Sequence, residues 1–498
     1  MSEVFRLMAV RARSGEAGPA FLTAADGRAL SWQDLARYAG ALRELAAHRQ
    51  LPDRARIGIS SADPLAFTAA YLGILAADLT AVPIDPRLTQ AEIGATADRL
   101  RLDVLLAGDP AVQPWLPDTD LWDIGSVKPL LVRSSASGNW PGQGAAMRPA
   151  VLLTSSGTTG RPKGIGLSQW QLLHAARRVA HHHRFGPGER GYSPLPLFHV
   201  NAQVMGLLAT LVSGGSLVLD RRFDPHTYWE RVAQWQPTWL NTVPAVLAAL
   251  ATEAPPPEAV AARIRFARSA SAPLPTATQR AFTGATGVPV LETYGMTEAA
   301  GQITANPLDA RARRVGTVGV PVGLCLEVLD EGGRPARPGE PGMVALRGRA
   351  VAHRYLEIGD DGRERSRSAR DAAGWLRTGD LGSRDDDGFL RLHGRTDDVI
   401  NRGGEKIFPL EVENVLLAHP AVRSAAVVAA PHDRLGQVPV ALVTLHRGYD
   451  TEEAVEALHD WCAYGLARYK RPTGISVADA LPTGPTGKIL RRRVREAL

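Results

Sequence analysis

Two cysteines in 498 residues, Cys325 and Cys462, exclude a disulfide framework and a zinc site built on several thiolates. Long apolar runs are missing too. The stretch Val204–Leu219 is interrupted by Ser213-Gly214-Gly215, and the opening MSEVFRLMAVRARSGE holds no extended apolar core, so neither membrane spanning nor secretion is expected. A reducing, cytoplasmic setting is the default expectation. Charge of one sign is scarce: 57 basic against 51 acidic side chains leave a formal net charge of +6, too little at this length to imply nucleic acid. Its most local part, Arg491-Arg492-Arg493 with Arg495, reads as a solvated helix face. The 49 glycines and 36 prolines follow no period, which excludes collagen, and no repeat of roughly 20 to 50 residues is present.

What is present describes a folded enzyme. Hydrophobic residues make up 45% and charged residues 22%, ordinary for a soluble globular chain, and the length implies two or three domains. Ala150–Thr154, Ser216–Leu219, Arg263–Ala267 and Val288–Leu291 read as strands. Ser168–His183, Pro225–Gln234 and Pro244–Ala254 read as helices, the last two opening on a proline that the first turn tolerates. This alternation predicts an α/β fold. After about Val315 the texture changes to strand pairs separated by Gly332-Gly333, Gly339-Glu340-Pro341-Gly342 and the turn Asp385-Asp386-Asp387-Gly388, which predicts a β-rich subdomain. Beyond Gly394 the pattern gives a helix Pro409–Leu417, strands near Ser424–Ala429 and Val438–Leu445, a helix Thr451–Leu466 and a last strand near Ile475. A domain boundary is expected between Arg395 and Asp398. The His181-His182-His183 run has no partnering cluster and reads as a surface helix end, not a metal tract.

One string carries phosphate chemistry: Thr154-Ser155-Ser156-Gly157-Thr158-Thr159-Gly160-Arg161-Pro162-Lys163-Gly164, directly after an apolar strand. Hydroxyls, glycines and exposed N–H groups wrap a polyphosphate, and Lys163 adds positive charge. The spacing is not that of a Walker P-loop, and on composition alone such a loop is a linker. Further strings follow in order: Pro194-Leu195-Pro196-Leu197-Phe198-His199-Val200-Asn201, Ser269-Ala270-Ser271-Ala272-Pro273-Leu274 and Glu292-Thr293-Tyr294-Gly295-Met296-Thr297-Glu298. After them come Trp375-Leu376-Arg377-Thr378-Gly379-Asp380-Leu381, the segment Gly394-Arg395-Thr396-Asp397 through Arg402-Gly403-Gly404-Glu405-Lys406-Ile407, and Leu481-Pro482-Thr483-Gly484-Pro485-Thr486-Gly487-Lys488-Ile489. A hydroxyl beside a carboxylate, as in Thr297-Glu298, is what attack on a phosphate needs, since charge develops on the phosphorus oxygens and leaving group. Glu298 is otherwise a helix N-terminal carboxylate.

Across essentially the whole chain these strings resemble the adenylate-forming superfamily of AMP-dependent synthetases and ligases, and look most like its free-standing acyl-CoA synthetases. The resemblance implies an N-terminal adenylate-forming domain of stacked α/β layers over 1–395, with the β-rich subdomain at about 315–395, and a mobile C-terminal α+β domain over 396–498. It implies that ATP and a carboxylic acid give an acyl-adenylate and pyrophosphate, after which the acyl group passes to coenzyme A. By the same resemblance Thr154, Ser155, Ser156, Gly157, Thr158, Thr159, Gly160 and Lys163 hold phosphates, Ala272, Pro273 and Tyr294 border adenine, and Thr297 bonds the α-phosphate. Glu298 helps hold Mg²⁺, Asp380 takes the ribose hydroxyls, a task its two oxygens suit, and Arg395 contacts ribose or phosphate. Phe198, His199, Asn201 and Gly295 belong to the acid pocket, with no proton transfer assigned to His199. Asp397 is the hinge, Gly403 and Gly404 let pantetheine pass close to the backbone, and Lys488 is the adenylation lysine. The Pro194–Asn201 segment contains no acidic residue to pair with an ammonium, which argues against an α-amino acid substrate. A carrier protein or an amine as acceptor keeps the same core, whereas intact Lys163, Glu298, Asp380, Arg395 and Lys488 argue against a catalytically silent scaffold.

Overall fold

The computed structural model describes residues 2–13, 19–23, 27–108, 120–123, 130–133, 149–155, 163–358, 363–484 and 488–498. Among these, two nine-stranded sheets form the N-terminal layers. In the first, Pro19–Thr23, Ser216–Leu219, Arg190–Ser193, Trp239–Thr242, Phe266–Ser269 and Val290–Met296 run parallel in that spatial order, and Gly301–Ala305 continues antiparallel. The second runs from Val104–Ala107 through Arg56–Ser60, Thr80–Pro83, Val151–Ser155 and Lys163–Leu167 to the hairpin of Arg354–Ile358 and Glu364–Ser368. One cluster of buried apolar side chains spans both sheets. The helix Pro64–Ala76 shows why: it is apolar on every side and accordingly buried on every side, with Leu65, Phe67, Tyr71 and Ile74 all at most 5% exposed. Its start is fixed by Asp63, whose carboxylate accepts from the N–H groups of Leu65 (2.9 Å) and Ala66 (3.0 Å).

The texture change near Val315 corresponds to a four-stranded antiparallel sheet of Cys325–Leu329, Gly342–Arg347, Leu376–Arg384 and Leu390–Arg395. Val344, Leu346, Leu376 and Leu390 from this sheet pack with Tyr294 and Ile303 of the first, so the subdomain is seated on the strand that carries the Tyr294 motif. Past the turn Thr396–Asp398 lies a C-terminal α+β unit with its own core, in which Ile400, Ile407, Val412, Leu416, Val427, Val443 and Leu458 are buried together. Lys406 pairs with Glu331 across to the four-stranded sheet, and the His393 and Phe408 rings meet at 5.4 Å. Among the described residues no helix is long and apolar enough to cross a membrane.

Local departures from the sequence reading have plain causes. The helix expected to reach Ala254 stops at Leu250, and the Thr252 hydroxyl donates to Ala249 O at 2.9 Å in the turn that follows. The strand expected at Arg263–Ala267 is Phe266–Ser269, because residues up to Ile264 finish the turn that closes the short helix Glu258–Ala261. His183 is not at a surface: it continues the Leu172, Ala176, Val179 stripe of the helix Gln169–His183 and lies edge-on to Phe185 and Phe266 at 5.3 and 5.4 Å.

The basic run near the end is only partly a solvated face. Arg492, Arg493 and Arg495 are exposed, but Arg491 is drawn under the sheet, where its guanidinium takes both oxygens of Glu413 and lies 3.4 Å from Asp398. The Glu413 carboxylate is buried and also accepts from Val427 N at 2.8 Å. Removing one partner of a buried pair leaves the other charge without compensation, typically at about 3–5 kcal/mol. Arg491→Met should therefore lower stability by about 3 kcal/mol in urea denaturation while Arg493→Met stays within about 0.5 kcal/mol. Equal midpoints for the two variants would contradict the pairing.

Candidate active site

The turn Thr297–Ala299 lies between the strands Val290–Met296 and Gly301–Ala305 and puts Glu298 where three elements meet. Ala352 N donates to Glu298 O at 2.6 Å, and the Tyr355 hydroxyl donates to Glu298 Oε1 at 3.4 Å. Tyr355 arrives there because its strand pairs antiparallel with Lys163–Leu167, and Lys163 Nζ sits 5.3 Å from the centroid of its ring. Burial raises the Glu298 pKa above its ordinary value, opposed by its own N–H, by Tyr355 and by the charges of Arg395 and Lys163. No described cation lies within ion-pair distance of this carboxylate. The Thr297 hydroxyl, on the same turn, likewise has no hydrogen-bond partner among the described residues. The hairpin carrying Tyr355 is pinned from behind by a buried pair, Arg56 with Glu364, at 2.7 and 2.9 Å.

A second knot adjoins the first. Tyr294 donates its hydroxyl to Asp380, and Arg395 Nη1 donates to the other oxygen of Asp380 at 2.9 Å and to Thr378 O at 3.1 Å. Asp380 and Arg395 face each other in the strand register, so the pair is set by the sheet itself. Gly379 has φ +76°, and a Cβ there would lie 2.8 Å from Arg395 Nη2; the guanidinium packs flat on this residue because it is glycine. Burial and the neighbouring Asp380 charge push the Tyr294 pKa well up, which keeps it a donor.

The Phe198–Asn201 segment forms the third part. His199 is half-buried, its ring 4.4 Å from that of Phe198, and its Nε2 is buried without a partner. Burial lowers its pKa to about 4, so it is neutral at physiological pH. Asn201 begins a π-helical segment, Asn201–Leu208, a rare winding that is frequent at functional sites. Its amide donates to Ser271 Oγ at 3.0 Å and accepts from Arg268 at 2.8 Å. Ser271 has φ +74°, strained for a non-glycine residue, and is followed by half-buried Ala272 and exposed Pro273. Gly295 is required sterically: a Cβ there would stand 2.2 Å from Gly301 O.

Lys163, Thr297, Glu298, Tyr294, Asp380 and Arg395 are thus one neighbourhood, while Asn201 is bonded to Arg268 of the adjacent parallel strand and His199 feels the charges of Asp85 and Arg87. Thr154 and Ser155 end the strand Val151–Ser155, where Ser155 pairs with Lys163. Ser156, Gly157, Thr158, Thr159 and Gly160 lie outside the described residues. Gly403 and Gly404 form the exposed tip of a hairpin at φ +58° and +94°, Asp397 is exposed, and Lys488 is exposed beside the bridge of Thr483 with Ile489. Among the described residues no hydrogen bond or ion pair joins Lys488 to the cluster. Sequence reasoning missed Tyr355, which no motif marks, and Arg268, which lies in the buried strand Phe266–Ser269 just past the strand expected at Arg263–Ala267. Glu292 opened a motif but received no role.

Comparison with known proteins places these features in context. The sequence model of the family described as AMP-binding enzyme matches residues 10–356, and that of the AMP-binding enzyme C-terminal domain matches 411–488. The chain is 36% identical to a sulfoacetate–CoA ligase of Cupriavidus necator, over 98% of this chain and 96% of the relative. An oxalate–CoA ligase of Arabidopsis thaliana is 33% identical over 88% of each chain. The crystal structure of ATP-bound MatB from Rhodopseudomonas palustris superposes with a TM-score of 0.84 at 26% identity, covering 100% of this chain and 99% of that one.

Glu292 gives a test of the site's electrostatics. It is buried, takes an N–H from Leu274 and has Oε2 without a partner, and burial raises its pKa from 4.5 to about 8. The folded state therefore binds a proton that the unfolded state releases, so this residue's contribution to stability falls as pH rises from about 4.5 to about 8. Glu292→Gln should melt higher than wild type at pH 8, with a gap that shrinks towards pH 5. A gap independent of pH would contradict the assignment.

Proposed function

The chain belongs to the AMP-binding enzyme family, and from that premise we propose that it is an AMP-forming acid–CoA ligase working through the neighbourhood of Glu298 and Asp380. The carboxylate of an acid attacks the α-phosphorus of ATP, pyrophosphate leaves, and the acyl-adenylate then loses AMP to the thiol of coenzyme A. The observation that carries the site assignment is Glu298: a largely buried carboxylate with no ion-pair partner among the described residues, in the field of Lys163 and Arg395. Such a group fits Mg²⁺, which takes one or two carboxylates and completes its shell with phosphate oxygens and water. When bound, the ion would supply charge neutralisation on the phosphates.

This chain's own residues do the rest. Lys163 and Thr297 bind phosphate oxygens, together with the loop from Thr154 to Gly160. Tyr294, Ala272 and Pro273 flank the adenine, while Asp380, oriented by Tyr294 and Arg395, accepts from the ribose hydroxyls. Phe198, His199, Asn201 and Gly295 wall the acid pocket. We place the division into domains at Arg395 and Thr396, with Asp397 as hinge. Rotation there brings Lys488 in for adenylation and the Gly403-Gly404 hairpin in for the thiol. Sulfoacetate and oxalate, the acids in two relatives' names, each carry a second anionic group.

The experiment is pyrophosphate release across a panel of acids, with and without coenzyme A, and detection of the acyl-CoA. Acid-dependent release with thioester formation is expected; release with no acid dependence would sink the reading. Lys488→Ala should slow adenylation by roughly 10²–10³-fold and leave acyl transfer from supplied acyl-AMP within about tenfold of wild type, because its charge serves only the phosphate step. Equal losses in both half-reactions would remove its assigned role. Proline fixes φ and restricts the residue before it, so Asp397→Pro should hold one domain orientation. In rapid-quench measurements one half-reaction should persist and the other collapse; normal rates for both would exclude the hinge.

A further inference from the structure

Two other arginines drawn into the interior are closed by carboxylates. Arg56 is paired with Glu364 and Arg491 with Glu413. Arg268 is different. It is 2% exposed, and among the described residues its hydrogen bonds go only to neutral amides, from Nη1 to Asn201 Oδ1 at 2.8 Å and to Asn241 Oδ1 at 3.0 Å, while Nε is buried with no partner among them. Among the described residues no carboxylate pairs with it. Glu292 shares the row of Ser269 and so projects from the opposite face of the sheet, and Asp220 is held by Tyr192 and Arg231. His183, which packs on the same side, feels the guanidinium as a further positive charge and is kept neutral. Burial alone pushes the Arg268 pKa down, to about 9, which still leaves it charged at neutral pH. A charge taken out of water without a counter-ion costs several kcal/mol.

Its position is that of a ligand group. Asn241 and Arg268 are register partners near the carboxyl ends of adjacent parallel strands, and Asn241 Nδ2 reaches Ser193 Oγ, at the end of the next strand, at 3.3 Å. Ligands of such sheets bind beyond those ends. Asn201 links the guanidinium to Ser271, so the cation is tied to the segment that the functional reading places along the acid pocket and, through it, to the one placed against adenine. A guanidinium held by two amides is a preorganised fork for the paired oxygens of a carboxylate or sulfonate.

We propose that Arg268, positioned by Asn201 and Asn241, receives a second anionic group on the acid, so that the substrate is a short dianion: the carboxylate to be activated plus a distal carboxylate or sulfonate. The proposal rests on the ligase reading above. Its chemistry is unchanged by it: the distal group stays intact while the near carboxylate forms the bond to phosphorus.

The test compares kcat/KM for malonate and sulfoacetate, as dianionic probes, with propionate, a monoanion of the same length, in full-length wild type, Arg268→Met and Asn241→Asp. Wild type should prefer at least one dianion over propionate by roughly 10²-fold or more, since a site built around a polar partner rejects the analogue that lacks it. The ratio between malonate and sulfoacetate identifies the distal head. Arg268→Met should bring the dianion preference to within about tenfold of unity. Asn241→Asp supplies Arg268 with a counter-ion and should lose the preference without a lower melting temperature, which keeps the test decisive if Arg268→Met does not fold. Wild type that uses propionate as well as both dianions, or variants that retain the preference, would overturn the proposal and leave the ligase reading intact. Failure of every acid to release pyrophosphate would instead overturn the ligase reading, and this proposal with it.

Discussion

The carboxylate of Asp380 is the point on which the site depends. It takes a hydrogen bond from Tyr294, at the end of the parallel sheet, and an ion pair from Arg395, the last residue before the turn into the C-terminal unit. Two sheets are therefore referenced to one side chain. The sheet register that sets Asp380 opposite Arg395 fixes the pair without help from flexible loops, and Gly379 lets the guanidinium lie against the backbone. Asp397, two residues on, also acts on the Arg395 charge, after Asp380 and Tyr294.

The chain treats its buried charges in two ways, and the contrast separates scaffold from site. Arg56 with Glu364 and Arg491 with Glu413 are closed pairs with matched forks; one fastens the hairpin behind Tyr355 and the other fastens the last helix under its sheet. Glu298, Glu292, His199 and Arg268 are buried or half-buried and incompletely satisfied, and Arg268, Glu292 and Glu298 lie on or directly after two adjacent strands of the parallel sheet. Perturbed groups concentrated in one place are what a functional cleft produces and what a structural core avoids. The close approach of Gly295 to Gly301 and the positive φ of Ser271 add backbone constraints at the same location.

Much of this was legible in the sequence because motifs report local chemistry. The Glu292–Glu298 string singled out Glu298, the Trp375–Leu381 string singled out Asp380, and turn residues marked the β-rich sheet. The rest depended on long-range pairing. Tyr355 reaches Glu298 only because its strand pairs with Lys163–Leu167, nearly two hundred positions earlier, and nothing local encodes that register. Arg268 fell one residue past the strand expected at Arg263–Ala267, and its missing counter-ion is a fact about its surroundings in space. His183 and Arg491 looked exposed because runs of one residue type conceal helical phase: one member of each run faces the core while its neighbours face water.

The account stands on attack of the acid's carboxylate at the α-phosphorus of ATP. Oxygen-18 tracing tests it most directly: acid labelled in its carboxylate is turned over with unlabelled ATP and coenzyme A, and the nucleotide and phosphate products are examined by mass spectrometry. One labelled oxygen should appear in AMP and none in pyrophosphate. Label in inorganic phosphate or pyrophosphate, with AMP unlabelled, would place the attack at another phosphorus and contradict the assignment of this site.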